Sequence, residues 1–246
     1  MCTLVLLHRP VENWPLILGA NRDEMIDRPW AAPGRHWPDR PETFGGLDRL
    51  AGGSWLGVND HGVAAGVLNR PGTLGPQSGK RSRGELVLEA LDHADAAAAA
   101  SALSELDARA YRPFHLIIAD SHDAFWIKSP AKPGGKEVQV APVPTGLSMI
   151  TSADLNSADD PRIAEYLPRF RAASTPIPET GDWQDWEVLL GEAGSENRAL
   201  TIATDSGFAT TNASLIAVPP PGERRPMVWR FSAGRPDRTP FFDLTI

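Results

Sequence analysis

Short apolar segments separated by polar turns form the opening part of this chain. Residues 4–7 and 15–18 are almost wholly apolar, and the turn between them is polar and contains Pro10. Two apolar runs of this length around a polar, proline-containing turn are typical of a β-hairpin. We therefore predict a hairpin whose second strand ends in the polar sequence Asn-Arg-Asp-Glu, residues 21–24.

Four later segments carry helix-capping residues or helical periodicity. They begin at Ser82, Asp95, Asp160 and Trp183. The first has the pattern of a capping box, because Glu85 follows Ser82 at the required spacing. The third has proline at its first helical position, and we expect Pro168, further along, to kink or end it.

Further strands alternate with these helices. They are predicted over residues 55–58, 63–68, 114–119, 124–128, 138–143, 146–150, 200–204, 210–218 and 227–231. Tight turns join neighbouring strands, which favours antiparallel sheets. The order of strands and helix pairs predicts an α+β fold, a layering that can place two sheets face to face with helices outside. Because neither a repeat nor a linker is evident, we predict a single domain over residues 1–246.

The segment 27–42 departs from this pattern. It is rich in proline, arginine and tryptophan, too interrupted for regular structure and too aromatic for a disordered linker. We expect an ordered loop that packs over a cleft. Trp30 and Trp37 then either line the cleft or only anchor the loop, and Arg28 and Arg35 are candidate partners for carboxylates or phosphates of a ligand.

The charge and composition of the chain argue against several classes of function. The 246 residues carry a formal net charge of −7, which argues against general binding to nucleic acid or anionic membranes. We find no signal-peptide pattern and no apolar run of about 18 residues, so we expect a cytoplasmic protein without a transmembrane segment. The six histidines lack metal-ligand spacing, and no metal site is predicted.

Cys2, the single cysteine, is the strongest candidate for chemistry. If Met1 is removed, Cys2 carries both a thiol and a free α-amine, whose pKa of about 7.7–8.0 suits a general base for that thiol. Arg22 would favour the thiolate, and Asp23 could orient the amine or hold the arginine. The alternative is that Cys2 is a small buried side chain without a chemical role.

A glycine-rich stretch at residues 75–81, Gly-Pro-Gln-Ser-Gly-Lys-Arg, superficially resembles a nucleotide phosphate loop. It has three residues rather than four between its glycines, and Arg81 stands where Ser or Thr would bind Mg²⁺. We therefore do not predict a nucleoside triphosphate site in this stretch.

Several short motifs resemble those of one known family. They are residues 1–3 and 21–24, which are the most specific, and 53–59, 67–69, 82–86, 111–118 and 146–148. These motifs are similar to those of the NRDE family, also called the transport and Golgi organisation protein 2 family. The resemblance implies a four-layer αββα sandwich of two antiparallel sheets, like that of the N-terminal-nucleophile hydrolases. It also implies a role in handling haem, or acyl-CoA and lipid, inside cells.

The N-terminus also resembles choloylglycine hydrolase and penicillin V acylase, which are N-terminal-cysteine amidases of the same fold class. Their nucleophile matches Cys2, their aspartate matches Asp23, and their oxyanion asparagine matches Asn69. The resemblance implies that these residues could catalyse hydrolysis of a linear or cyclic amide.

Three positions depart from the amidase pattern. Ala20 stands where the amidases have arginine, Met149 replaces a second asparagine, and an expected arginine is absent from residues 208–214. Arg22 lies close to the first of these positions, and we expect its side chain to point to the other face of the sheet.

Two functional hypotheses follow. In the first, the chain binds haem or acyl-CoA, a hydrophobic anionic small molecule, in a cleft beside Cys2, whose thiolate could ligate haem iron. Its candidate ligand-binding residues are Cys2, Asn21, Arg22, Asp23, Arg28, Trp30, Arg35 and Trp37. In the second, Cys2, Asp23 and Asn69 act as an amidohydrolase site. Neither hypothesis requires a cofactor, and the oligomeric state and the removal of Met1 stay open.

Overall fold

The computed structural model describes residues 2–130, 135–195, 198–223 and 225–246. Its strands are β1 (Thr3–His8), β2 (Leu16–Met25), β3 (Trp30–Gly34), β4 (Thr43–Asp48), β5 (Leu56–Asn59), β6 (Ala64–Asn69), β7 (Phe114–Ala119), β8 (Ala124–Lys128), β9 (Gln139–Pro142), β10 (Gly146–Ile150), β11 (Phe208–Val218), β12 (Val228–Ser232) and β13 (Phe242–Leu244). Its α-helices are α1 (Gly84–Leu91), α2 (Ala96–Ser104), α3 (Pro161–Ala172) and α4 (Gln184–Gly191).

These strands form two antiparallel sheets that pack face to face. The first sheet has the order β10-β1-β2-β11-β12-β13, and the second has the order β3-β4-β5-β6-β7-β8-β9. Helices α3 and α4 cover the outer face of the first sheet, and α1 and α2 cover the outer face of the second. The predicted α+β sandwich of αββα type is therefore confirmed, whereas the single domain over the whole chain stays a prediction.

Alternation along each strand decides which core a side chain enters. In β1, Leu4 and Leu6 point between the two sheets, whereas Val5 and Leu7 point towards α3 and α4. Successive side chains of a strand face opposite sides, so β1 is buried on both faces. Each fully buried aliphatic side chain of this kind contributes roughly 1.5–3 kcal/mol.

The predicted N-terminal hairpin is confirmed. β1 and β2 pair antiparallel, with Thr3 opposite Asn21 and Val5 opposite Gly19. This register places the residue before Thr3, which is Cys2, beside the segment Arg22-Asp23 of the neighbouring strand. The hairpin thus brings the chain's cysteine to the polar end of β2.

Several strand predictions were wrong. Residues 30–34 form an edge strand, where Pro33 is tolerated because no neighbour needs its missing N–H, and the ladder to β4 is interrupted by a shift in register. Residues 200–204 form only isolated bridges. Strands β4 and β13 were not predicted; β4 contains the pair Gly45-Gly46, which has no strand propensity.

Two helix predictions also need correction. The first residue before α1 is Arg83, which makes no side-chain cap, and Glu85 pairs with Arg81 instead of closing a capping box. Pro168 lies inside α3, and the helix continues to Ala172 because its apolar side chains pack under the first sheet. The cap at Asp95 is as predicted. No helix formed by the described residues has the length and apolar character needed to cross a membrane.

Candidate functional site

The sulfur of Cys2 lies against the backbone of Asp23. The distance from the Asp23 amide nitrogen to Sγ is 3.4 Å, and the Asp23 carbonyl oxygen is 3.5 Å from Sγ. The predicted proximity of Cys2 and Asp23 is confirmed. Cys2 is partly exposed, and it borders a cavity of about 370 Å³ between the two sheets and the loop before α1.

The carboxylate of Asp23 is held on the outer face of the first sheet. Its Oδ1 accepts a hydrogen bond of 2.7 Å from Thr210 Oγ1, and its Oδ2 is 3.5 Å from Arg162 Nη1. The side chains of Asp23 and Arg162 are 0% and 3% exposed. Asp23 therefore belongs to a buried ion pair, and its backbone rather than its carboxylate touches the thiol.

Sequence reasoning missed Arg162. The expected late arginine is absent from β11, but this cation reaches Asp23 from the first turn of α3. A signal was present, because the positive end of a helix dipole disfavours a cation in the first turn. An arginine directly after the Asp160-Pro161 cap therefore indicates a carboxylate partner elsewhere in the fold.

Arg22 occupies the opposite face of β2, between the sheets. Its guanidinium lies 4.4 Å from the ring centroid of Trp55, and its Nη1 donates a 3.1 Å hydrogen bond to Thr211 Oγ1. The expectation that Arg22 points away from the face of Ala20 was wrong. Residues two positions apart share one face of a strand, and both Ala20 and Arg22 point towards the inter-sheet side.

A bulge in β11 allows two neighbouring threonines to form hydrogen bonds with Asp23 and Arg22, which lie on opposite faces of β2. The register between β2 and β11 shifts between Thr210 and Asn212, so that Thr211 is the additional residue. Thr210 donates to Asp23, and Thr211 accepts from Arg22. Bulges next to functional sites commonly redirect side chains in this way.

Burial sets the protonation state of Cys2. Desolvation raises the pKa of the Cys2 thiol, and the negative charge of Asp23 raises it further. Arg22 lowers the thiol pKa, as expected from the sequence, but by less than burial raises it. The neutral thiol is therefore favoured until a base takes its proton.

The cavity has an unusual concentration of charged side chains. Six lining residues are basic: Arg22, Arg28, Lys80, Arg81, Arg83 and Arg112. Two lining residues contribute acidic side chains, Glu24 and Asp48, whereas Asp23 lines the cavity with its carboxylate on the outer face of the sheet. Asn69, Trp55 and Val67 also line it. Of the residues proposed from the sequence, the structure thus brings Cys2, Arg22, Asp23, Arg28 and Asn69 around one cavity.

Four other proposed residues do not line this cavity. The amide of Asn21 faces away from the cavity and donates to the carbonyls of Leu190 in α4 and of Leu200 after it, both at 2.9 Å. Trp30 packs on Trp55 and Phe231. Arg35 forms an ion pair with Asp60, and Trp37 donates a hydrogen bond to the Gly52 carbonyl. Their ligand-binding roles stay predictions, and for Trp37 the structure shows an anchoring contact.

The far wall of the cavity is fixed by a contact between two glycines. A Cβ placed on Gly53 would lie 2.5 Å from the carbonyl carbon of Gly84, the first residue of α1. The adjacent Ser54 amide donates a 3.1 Å hydrogen bond to the Gly84 carbonyl. The turn after β4 therefore holds the start of α1, and with it Arg83, against the cavity.

A comparison with known protein families decides the relationship of this chain. The model of the family described as "Transport and Golgi organisation 2" matches residues 1–178. The chain belongs to this transport and Golgi organisation 2 family. The curated human and bovine proteins named as transport and Golgi organization protein 2 homologs are 37% and 35% identical to it, over 120 and 119 residues. Each match covers 46% of this chain and 42% of the relative.

Solved structures show the fold of this family member. An N-acylethanolamine-hydrolyzing acid amidase ortholog from Caenorhabditis elegans superposes with a TM-score of 0.62 at 15% identity, covering 99% of this chain and 100% of the other. A variant of the conjugated bile acid hydrolase from Clostridium perfringens gives 0.54 at 12% identity, covering 100% of this chain and 97% of the other. At these identities the similarity establishes the N-terminal-nucleophile-hydrolase type of sandwich.

Proposed function

We propose that this chain binds an anionic acyl compound of the acyl-CoA type in the cavity beside Cys2. The observation that carries the proposal is that six basic side chains line one cavity of a chain whose formal net charge is −7. Cations concentrated in a cleft attract ligands of opposite charge. Trp55 and Val67 add apolar surface near Cys2, against which an acyl group can pack.

Haem, the other ligand that the family resemblance implies, has less support from the cavity. None of the described residues that line it is a histidine, so Cys2 is left as its strong iron ligand. Burial and Asp23 raise the pKa of the Cys2 thiol, whereas iron binds the thiolate. An acyl-CoA needs no such ligand and makes use of the surrounding cations.

Titration of the full chain with palmitoyl-CoA tests this proposal. We expect saturable binding with a micromolar dissociation constant, which corresponds to about −8 kcal/mol. Arg22→Gln should weaken binding by roughly 1.5–3 kcal/mol, because it removes a charged hydrogen-bond donor from the cavity. Arg35→Gln is the matched control, since Arg35 lies outside the lining and pairs with Asp60.

Three outcomes would contradict the acyl-CoA proposal. The first is an absence of saturable binding below about 100 μM, near −5.5 kcal/mol. The second is an equal loss of affinity in the Arg22 and Arg35 variants. The third is tight haem binding with an absorption spectrum that changes in Cys2→Ser, combined with no binding of palmitoyl-CoA, which would make haem the ligand.

A second candidate function is hydrolysis with Cys2 as nucleophile. It is favoured by the position of Sγ, which opens on the cavity near Asn69 while the Asp23 amide lies 3.4 Å away. After removal of Met1, the α-amine of Cys2 would take the thiol proton and the sulfur would attack an acyl carbon. The amide of Asn69 could stabilise the oxyanion. The leaving amine takes the proton as the C–N bond breaks, and water then cleaves the thioester.

The names of the structural neighbours support testing this candidate. They describe an N-acylethanolamine-hydrolyzing amidase, a conjugated bile acid hydrolase and, from Agrobacterium tumefaciens, a penicillin V acylase that superposes with a TM-score of 0.50. That third structure is 14% identical and covers 95% of this chain and 83% of the other.

Assays of the wild type and Cys2→Ala on a panel of acyl amides would decide whether Cys2 is a nucleophile. If hydrolysis is the function, Cys2→Ala should abolish turnover while ligand affinity stays within about twofold, less than 0.5 kcal/mol. Alanine is chosen because it also permits removal of Met1. Retention of Met1 in the intact mass of protein from its native host, or turnover that persists in Cys2→Ala, would exclude N-terminal-cysteine catalysis.

A further inference from the structure

Arg83 and Arg112 differ from the other arginines of the cavity, because neither has an acidic partner among the described residues. Arg28 pairs with Asp48 at 2.7 Å, and Arg81 pairs with Glu85 at 2.6 Å. Among the described residues, no carboxylate lies within 4 Å of the guanidinium of Arg83 or of Arg112. Within this part of the chain, the hydrogen bonds of both groups go to uncharged oxygens.

The bonds of Arg83 leave part of its guanidinium available to the cavity. Its Nη1 donates to the Thr73 carbonyl at 3.0 Å, to Thr73 Oγ1 at 3.2 Å and to the Pro113 carbonyl at 3.2 Å. All three bonds use the same nitrogen. The Nε and Nη2 groups have no hydrogen-bond partner in the described part of the chain, while Arg83 lines the cavity.

Arg112 and Lys80 stand at the same rim. Arg112 donates to the carbonyls of Gly72 and Gly75 at 3.2 and 3.1 Å, so it holds the loop that carries Thr73. The ammonium of Lys80, at the end of this loop, donates to the backbone carbonyl of Arg109. Lys80 too has no ion pair with a described residue, and all three cations line the cavity that contains Cys2.

The electrostatic cost of this arrangement is visible at Arg83. Burial, followed by repulsion from Arg112, lowers the pKa of Arg83 to about 10. A partly buried cation next to a second cation is unfavourable unless an anion compensates both. Glu24 offsets this cost only in part, and no carboxylate of the described residues forms an ion pair with either guanidinium, so a bound anion would relieve the repulsion.

We propose that Arg83, Arg112 and Lys80 form a subsite for a phosphate or pyrophosphate group. A phosphate monoester carries about two negative charges and three acceptor oxygens, which match this set of cations better than a single carboxylate does. The subsite consists of side chains, unlike a nucleotide phosphate loop, whose backbone N–H groups hold the phosphates. It therefore does not need a Ser or Thr at position 81 to bind Mg²⁺. It rests on the proposed function in one respect, namely that the acyl end of the same ligand lies towards Cys2.

Calorimetric titration of the full chain with inorganic pyrophosphate tests the subsite without an acyl group. We expect saturable binding by the wild type and at least tenfold weaker binding, about 1.4 kcal/mol, by Arg83→Gln. Arg109→Gln is the control for net charge, because Arg109 is exposed and pairs with Asp107 outside the cavity. It should bind within about twofold of the wild type.

A second variant protects the test against misfolding. If Arg83→Gln does not fold, Lys80→Gln replaces it, because Lys80 is exposed and its ammonium bonds, among the described residues, to one backbone carbonyl. The proposal is overturned if the wild type shows no saturable pyrophosphate binding at about 1 mM, near −4 kcal/mol. It is also overturned if the cavity variant and the control lose affinity equally.

Competition with palmitoyl-CoA separates this inference from the proposed function. Displacement of palmitoyl-CoA by pyrophosphate, together with a tenfold loss in Arg83→Gln, supports both. Pyrophosphate binding that depends on Arg83, without any palmitoyl-CoA binding, retains the subsite and rejects the acyl-CoA function. Equal palmitoyl-CoA affinity in the wild type and Arg83→Gln retains the function and rejects the subsite.

Discussion

Replacement of Asp23 by asparagine is expected to lower the free energy of unfolding by about 3–5 kcal/mol, the usual cost of removing one partner of a buried ion pair. Asparagine has the shape of aspartate and can still accept the hydrogen bond from Thr210. It removes the negative charge that lies 3.5 Å from the guanidinium of Arg162, which is 3% exposed. Urea denaturation of the wild type and the variant measures the difference.

A double-mutant cycle supplies the decisive comparison for this ion pair. In Asp23→Asn combined with Arg162→Gln both charges are gone, so the double variant should be more stable than the sum of the single effects predicts. Glu24→Gln is the matched control, because its 3.9 Å contact with Arg22 is partly exposed and should contribute less than about 1 kcal/mol. Single variants that cost no more than this control would refute the argument, as would strict additivity.

The unfolding free energy of the wild type should also fall by about 2 kcal/mol between pH 7 and pH 5 because of His115. Burial, and then the charge of Arg70, lowers the pKa of His115 to about 4. Its Nδ1 accepts a 3.1 Å hydrogen bond from Trp126 Nε1, and its Nε2 contacts the Ser152 carbonyl at 3.0 Å. Protonation would abolish the first bond and place a second cation beside Arg70.

The direction of this pH effect follows from the two pKa values. The unfolded chain binds the proton with the ordinary pKa near 6.5, whereas the folded chain resists it down to about pH 4. The stability due to neutral His115 is therefore complete above pH 6.5 and is lost as the pH falls from 6.5 towards 4. Urea titrations at several pH values, with His115→Gln as comparison, measure it. Identical pH profiles for the two proteins would contradict the assignment.

The apolar pattern predicted most strands and the α+β class of this fold, whereas its four-layer arrangement was implied by the family resemblance. Mostly continuous apolar runs marked β1, β2, β6 and β7, and their burial on two faces is what forms the inner layers. Strand β4 escaped notice because its centre is glycine, which has no side chain to contribute to a pattern. The predicted capping box at the start of α1 was wrong, because a backbone contact of Gly84 with Gly53, rather than a capping side chain, holds its first turn.

The candidate site was predictable where its members are close in sequence. Cys2 and the segment 21–24 meet through one hairpin, so their proximity followed from the register alone. Arg162 and Arg83 come from other layers, and no local pattern ties them to Cys2. The ligand contacts proposed for Arg35 and Trp37 rested on composition, whereas the structure gives both side chains partners outside the cavity.

The close backbone contact between Gly53 and Gly84 makes one wall of the cavity less tolerant of sequence change than the opposite loop. Where backbone touches backbone, the spacing is already minimal, so any side chain at either position can only push α1 outward and enlarge the space. Across the cavity, Gly72, Gly75 and Gly79 face open space, so the loop has room for insertions and for changes between these glycines, whose own positive φ favours glycine. Relatives that accommodate larger or smaller ligands should therefore differ in the length and sequence of that loop, while the wall at Gly53 stays the same.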